Sequence, residues 1–317
     1  MMKHPATRVY NRTSLNLLVF LLISTFGLLL VSFFFTTITG IEEPNMNQSL
    51  LCNYIAMYGM AFPTYLLMSK PMEKIPPEKH KMSFGSFLIC LMICVGLMVA
   101  GNLVGTVINM ILTTLLPNTE AYSLNAFVFN ENPYFFLFLA VICAPIIEEI
   151  ILRKVFIDRV RKFGDGWAIL FSGLLFGFLH GNFTQFFYAT FLGWFLAFIY
   201  VKTGKLQYTI AMHMILNFLG SAVPFLLMGD TDITTLLSDT TTEEQLLEML
   251  PDLIPLLLFV GAEYLVAFAG IIIGCCSIRK MELEPPMEKT TGKQICAAVC
   301  LWLFIIVSFA TFIISMI

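Results

Sequence analysis

Apolar stretches recur along this 317-residue chain near 14–39, 50–68, 86–115, 134–157, 167–181, 183–201, 207–228, 253–278 and 294–317. Most meet or exceed the roughly 20 residues that a helix needs to cross about 30 Å of hydrocarbon. A chain built this way is an all-α, polytopic transmembrane helical bundle of eight to nine spans. Only Asn182 and its neighbours separate 167–181 from 183–201, so the first of that pair is expected to be short or irregular. Composition agrees: 58% of residues are hydrophobic and 12% charged, where soluble domains carry about 45–50% apolar and 25% charged residues. A net charge of -3 supplies no basic field, which excludes nucleic acid as a partner.

The few charges orient the bundle, because Lys and Arg beside spans are retained on the cytoplasmic side. Lys3, Arg8 and Arg12 precede the first span, and alternate loops carry Lys70, Lys74, Lys79 and Lys81, then Lys154, Arg159, Arg161 and Lys162, then Lys202 and Lys205, then Arg279, Lys280, Lys289 and Lys293. With Arg153 at a membrane edge these are all 18 Lys and Arg. The remaining loops hold only acids: Glu42, Glu43, Glu120, Glu131 and the run from Asp230 to Asp252. Nine spans with a cytoplasmic N-terminus satisfy every loop, which places the protein in the cell membrane with the bilayer as its solvent.

The first apolar run is too long for a signal-peptide core of about 7–15 residues, so a retained signal anchor is expected. The eight cysteines, at 52, 90, 94, 143, 275, 276, 296 and 300, form no CxxC or zinc pattern and read as small buried hydrophobes. In the acidic loop, Thr241 followed by Glu244 resembles a capping box that opens a short interfacial helix over Leu246 to Leu250.

Ionisable groups within spans are costly and are functional candidates by default. Glu148, Glu149, His180, His213 and Glu263 qualify, with Arg153 at a helix end. Glu149 and Arg153 are four apart and share a face, where an ion pair offsets their desolvation. Glu148 points about 100° away and lacks a local counter-charge. Pro145 frees a carbonyl one turn earlier and opens space near the acids. Phe176 and His180 are four apart on the next helix, with Gly173 and Gly177 admitting a close neighbour. His213 and Asn217 share a face further on, extended by Gly220 and Ser221. Counted along the helices, the acids and histidines fall in one layer. Asn102, Gly105, Thr106, Asn109 and Thr113 give the third span a polar face toward the same cavity. Glu263, beside Tyr264 without a motif, reads as a structural glutamate.

EExxxR from Glu148 to Arg153, FxxxH from Phe176 to His180 and HxxxN from His213 to Asn217 resemble the three motifs of the CPBP (ABI) family, the CAAX-protease and bacteriocin-processing intramembrane proteases. The surrounding strings, APIIEE, GLLFGFLHG and YVKTGKLQYTIAMHMILN, are similar to that family's wording. One departure is Lys154, where the family usually has glycine. The resemblance covers 134–220 and divides the chain into an N-terminal membrane region (1–133), a catalytic core (134–220) and an acidic loop with C-terminal spans (221–317).

The resemblance implies hydrolysis of a peptide bond in a membrane-associated peptide or protein substrate by a site inside the bundle, and the residues supply a compatible chemistry. Glu148, aided by His180, activates water, while His213 and Asn217 donate to the oxyanion. Glu149, Arg153 and Phe176 support them. The resemblance favours a site without a cofactor. The alternative is zinc on Glu148, His180 and His213, the basis of the family's metalloprotease label, although the chain has no HExxH. A second functional class stays open: a transporter, scaffold or bacteriocin-immunity protein of the same fold. Prenylated peptides, bacteriocin leaders and membrane-anchored regulators all remain compatible substrates, and the oligomeric state is left open.

Overall fold

The computed structural model describes residues 4–115, 133–228, 242–277 and 282–314, apart from the side chains of 245 and 246. Ten helices and no strand make up the described residues. They are α1 Pro5–Thr39, α2 Met46–Ser69, α3 Phe84–Leu115, α4 Pro133–Phe163, α5 Asp165–Leu179, α6 Phe183–Thr203, α7 Leu206–Met228, α8 Glu243–Ser277, α9 Gly292–Cys296 and α10 Val299–Ile314. The chain is a multi-pass membrane protein: seven of these helices are long and apolar enough to cross a bilayer. Two more apolar helices, α5 and α10, are shorter. The shortness expected of the 167–181 span is therefore found, as α5.

The last stretch differs from expectation. The run 294–317 is not one helix but α9 and α10 joined at Ala297 and Ala298. Side chains satisfy the backbone groups at this break: Cys300 N–H donates to Asn11 Oδ1 at 2.9 Å, and Trp302 Nε1 donates to the Cys296 carbonyl at 2.7 Å. No separate helix covers Leu246 to Leu250 either, because α8 runs without interruption from Glu243 through Pro251 and Pro255 to Ser277. Thr241 lies outside the described residues, as do Lys3, Glu120, Glu131, Asp230, Asp232, Asp239, Arg279 and Lys280.

Helix α6 is the axis of the bundle, with more than half of its span buried, whereas α8 is covered over only 11% of its own. One apolar core joins α1, α4, α5 and α6 through Tyr10, Leu152, Phe156, Phe176 and Tyr200, and a second joins α3, α6 and α7 through Cys94, Leu196 and Met212. Outward faces of α1, α3, α8 and α10 are lined with exposed Phe, Leu and Ile, as a lipid-facing belt requires. All eight cysteines are free, but only Cys52 and Cys94 are buried. Cys275, Cys276 and Cys296 are exposed, so the expectation of buried small hydrophobes fails for them.

Small residues set the close crossings. A Cβ at Gly101 of α3 would collide with the Tyr188 Cα of α6, and one at Gly105 would lie 2.7 Å from the Thr184 carbonyl. Both obstacles are backbone, so a side chain cannot turn aside. Gly101→Ala should therefore destabilise the protein by about 1–3 kcal/mol, read as a lowered melting temperature in detergent. An unchanged melting curve would show that α3 and α6 do not pack so closely.

The basic segments converge on one end of the bundle. Ile75 N–H donates to the Asp158 carbonyl, His80 N–H to the Thr203 carbonyl and Glu288 N–H to the Lys162 carbonyl. Lys162 is ion-paired with Glu73 at 2.8 Å and Glu288 at 3.3 Å, and Thr7 Oγ1 donates to the Gln294 carbonyl. The alternation of charge read from the loops thus corresponds to a physical face.

Candidate active site

Helix α4 carries the acids on an irregular backbone. It passes through two π-helical stretches, Leu139–Cys143 and Ile150–Ile157, on either side of Ala144–Glu149. In the first, Ala144 N–H reaches back five residues to Leu139 O. Pro145 has no N–H to continue that pattern onto Ala140. Asn217 of α7 supplies the missing donor, its Nδ2 lying 2.9 Å from the Ala140 carbonyl. Carbonyls of the second stretch are met in the same way: Tyr65 Oη donates to Ile151 O at 3.3 Å and Ser172 Oγ to Leu152 O at 3.2 Å.

Glu149 and Arg153 form the ion pair their spacing suggested. Arg153 Nε lies 3.1 Å from Glu149 Oε2, and neither side chain has any exposure. The contact is a charge pair rather than an aligned hydrogen bond. Arg153 is otherwise held by Gly193 O at 3.4 Å and by the Phe176 ring, 4.8 Å from Cζ. Phe176 also sets its ring edge-on to His180 at 4.8 Å and His213 at 5.5 Å between centroids. One phenyl ring therefore spaces the guanidinium and both imidazoles.

Glu149 does more than neutralise Arg153. Its Oε1 lies 3.2 Å from His213 Nδ1, and Thr209 lies within its hydrogen-bonding reach. A carboxylate accepts, so Nδ1 carries the proton and His213 turns Nε2 toward Glu148 Oε2, 3.7 Å away. The sequence reading left Glu148 without a counter-charge on its own helix. The structure sets the His213 ring of α7 against it instead.

His180 ends α5, with Nδ1 2.8 Å from the Phe176 carbonyl. A carbonyl can only accept, so Nδ1 bears the hydrogen and Nε2 of the neutral ring offers a lone pair. His180 and Glu148 are within electrostatic reach of each other. Of the charged cluster, Glu148 is the open member at 19% exposure, against 3% for His213 and none for Glu149 and Arg153.

Glu148, Glu149, Arg153, Phe176, His180 and His213 are brought together, and Asn217 sits one turn beyond His213. Gly173 and Gly177 face Trp194 and Thr190 of α6, as close approach requires. Ser221 Oγ donates to the Asn217 carbonyl, whereas Gly220 faces open space. On α3, Gly105 packs on Thr184, Asn102 and Thr106 are exposed, and Thr113 bonds its own helix. Half-buried Glu263 lies on peripheral α8. Two residues were not foreseen: Tyr54 and Tyr58 of α2, with rings 5.0 Å apart, both interact electrostatically with Glu148. Tyrosines four apart in an otherwise apolar span were the available signal.

Each imidazole has its Nδ1 committed, His180 to the Phe176 carbonyl and His213 to Glu149, which leaves Nε2 as the ring atom available to the site; among the described residues no group of three His, Cys, Asp or Glu is placed to hold a metal ion.

Fold and site together define a multi-pass helical membrane protein with a buried, solvent-reachable carboxylate–imidazole centre. Residues 130–219, which hold every member of that centre, match the protein-family model described as type II CAAX prenyl endopeptidase Rce1-like. This match, over just over a quarter of the chain, supports a CPBP family intramembrane protease, the family the three motifs resemble. No curated protein and no solved structure matches the chain.

Proposed function

We propose that the protein is an endopeptidase that hydrolyses a peptide bond of a membrane-associated substrate, with its basic end facing the cytoplasm of the cell. The observation that carries this reading is the unequal environment of the two adjacent glutamates. Glu149 is enclosed and engaged by Arg153, His213 and Thr209, while Glu148 keeps an open edge near two histidines. Glu148 takes a proton from water as its oxygen attacks the scissile carbonyl carbon, and the Nε2 lone pair of His180 holds that water. The resulting oxyanion is met by the second N–H of Asn217 and by His213 once Glu148 shares its proton with Nε2. The C–N bond then breaks, the proton passes to the leaving amine, and a carboxylate and an amine depart.

The deciding experiment compares membrane-associated peptide termini in cells carrying the wild-type protein and in cells carrying Glu148→Gln. New C-termini present only with the wild type support the reading, and their sequences identify the substrate. Identical termini, or gradient-driven solute flux in proteoliposomes, would replace it with a scaffold or a transporter.

The metal question is separate. We expect the purified protein to carry less than stoichiometric zinc and to keep its peptidase activity through exhaustive chelation. Stoichiometric zinc whose removal abolishes cleavage and whose return restores it would overturn the metal-free chemistry.

A further inference from the structure

A cavity remote from the glutamates lies at the basic end between the start of α1, the end of α4 and the α2–α3 loop. It has a volume of about 300 Å³, and its charged lining is Arg8, Arg12, Arg159 and Lys162 with the single carboxylate of Glu73. Lys162 and Glu73 pair with each other at 2.8 Å, and that contact holds the Glu73 carboxyl below its usual range. Arg159 is buried and gives its hydrogen bonds to neutral acceptors, the Ser69 carbonyl at 2.6 and 3.1 Å and the Val155 carbonyl at 2.8 Å, while the carboxylate that acts on it electrostatically, Asp158, is itself ion-paired with Lys154 at 2.8 Å. Arg8 and Arg12, four apart and exposed on one face of α1, have no ion-pair partner among the described residues. Two uncompensated positive charges, Arg8 and Arg12, and a third guanidinium, Arg159, that no carboxylate touches directly therefore surround one hollow.

Its surroundings decide what kind of anion it suits. Val9 and Met72 give the cavity an apolar wall. One turn beyond Arg12 the outer face of α1 becomes apolar, with Leu15, Leu22 and Phe26 exposed. The cavity thus sits where the charged end of the bundle meets the lipid-facing belt. A headgroup phosphate there reaches the arginines while its acyl chains lie along α1. We infer that this cavity is a binding site for an anionic phospholipid headgroup. It is independent of the catalytic assignment, since none of its residues touches the glutamate–histidine cluster.

The test uses the full-length protein in detergent, with phosphatidylglycerol and phosphatidylcholine as probes and native mass spectrometry to count retained lipid. The wild type should retain phosphatidylglycerol in preference to phosphatidylcholine and keep it in millimolar inorganic phosphate. Arg8→Gln and Arg12→Gln should each weaken retention by about fivefold, the effect of one basic residue at an anionic surface. The charge-preserving Arg8→Lys and Arg12→Lys should retain it to within about twofold, which separates loss of the site from loss of the fold. Equal retention of the two lipids, unaltered binding in both Gln variants, or displacement by inorganic phosphate would each overturn the assignment.

Discussion

Glu148→Gln should yield a protein that melts like the wild type and still binds its peptide, yet cleaves at least about 10²- to 10⁴-fold more slowly. Glutamine keeps the shape of the side chain but cannot take a proton from water. The fold should tolerate the change because Glu148 anchors little: its nearest polar side-chain contact is His213 Nε2 at 3.7 Å, beyond hydrogen-bonding distance, and its edge is already open. Glu148→Asp withdraws the carboxylate by one methylene and should fall between the two, since a general base must be within hydrogen-bonding reach of the proton it removes. Full peptidase activity in Glu148→Gln would remove Glu148 from the chemistry.

Much of this arrangement was legible before any coordinates. The apolar runs located the seven long apolar helices and the two shorter ones, α5 and α10, because a span must satisfy its own backbone, and the Lys and Arg alternation anticipated one basic end. The Glu149–Arg153 pair followed from helical spacing alone. Three things did not follow. The π-helical stretches of α4 depend on which carbonyls neighbouring helices satisfy, and sequence spacing is blind to Tyr65, Ser172 and Asn217 acting from other helices. Pro145 hinted at a freed carbonyl, but not that Asn217 would take it. The break between α9 and α10 is hydrogen-bonded by Asn11 from the far end of the chain, so an uninterrupted apolar run concealed it. The second role of Glu149, fixing the tautomer of His213, needed the third dimension as well.

Arg153→Met should cost about 3–5 kcal/mol of stability, the penalty for leaving one partner of a buried ion pair uncompensated, and should show as a large fall in unfolding midpoint and in yield of folded protein. Both partners are fully enclosed, so no water can take over the carboxylate of Glu149. The guanidinium also rests on Phe176 and reaches Gly193 O, so its loss frees the ring that spaces His180 and His213. Arg153→Lys keeps the charge but not the planar group over the ring, and should recover only part of the stability. The double variant Glu149→Gln/Arg153→Met removes both charges and should be more stable than Arg153→Met alone, because the cost lies in the unpaired carboxylate rather than in the lost attraction. It should remain poorly active, since an amide at 149 no longer presents a carboxylate to His213 Nδ1. Stability and activity then separate in one series. An Arg153→Met protein that melts with the wild type would mean that Glu149 is neutral in the folded protein, and the orientation of His213 by a carboxylate would fall with it.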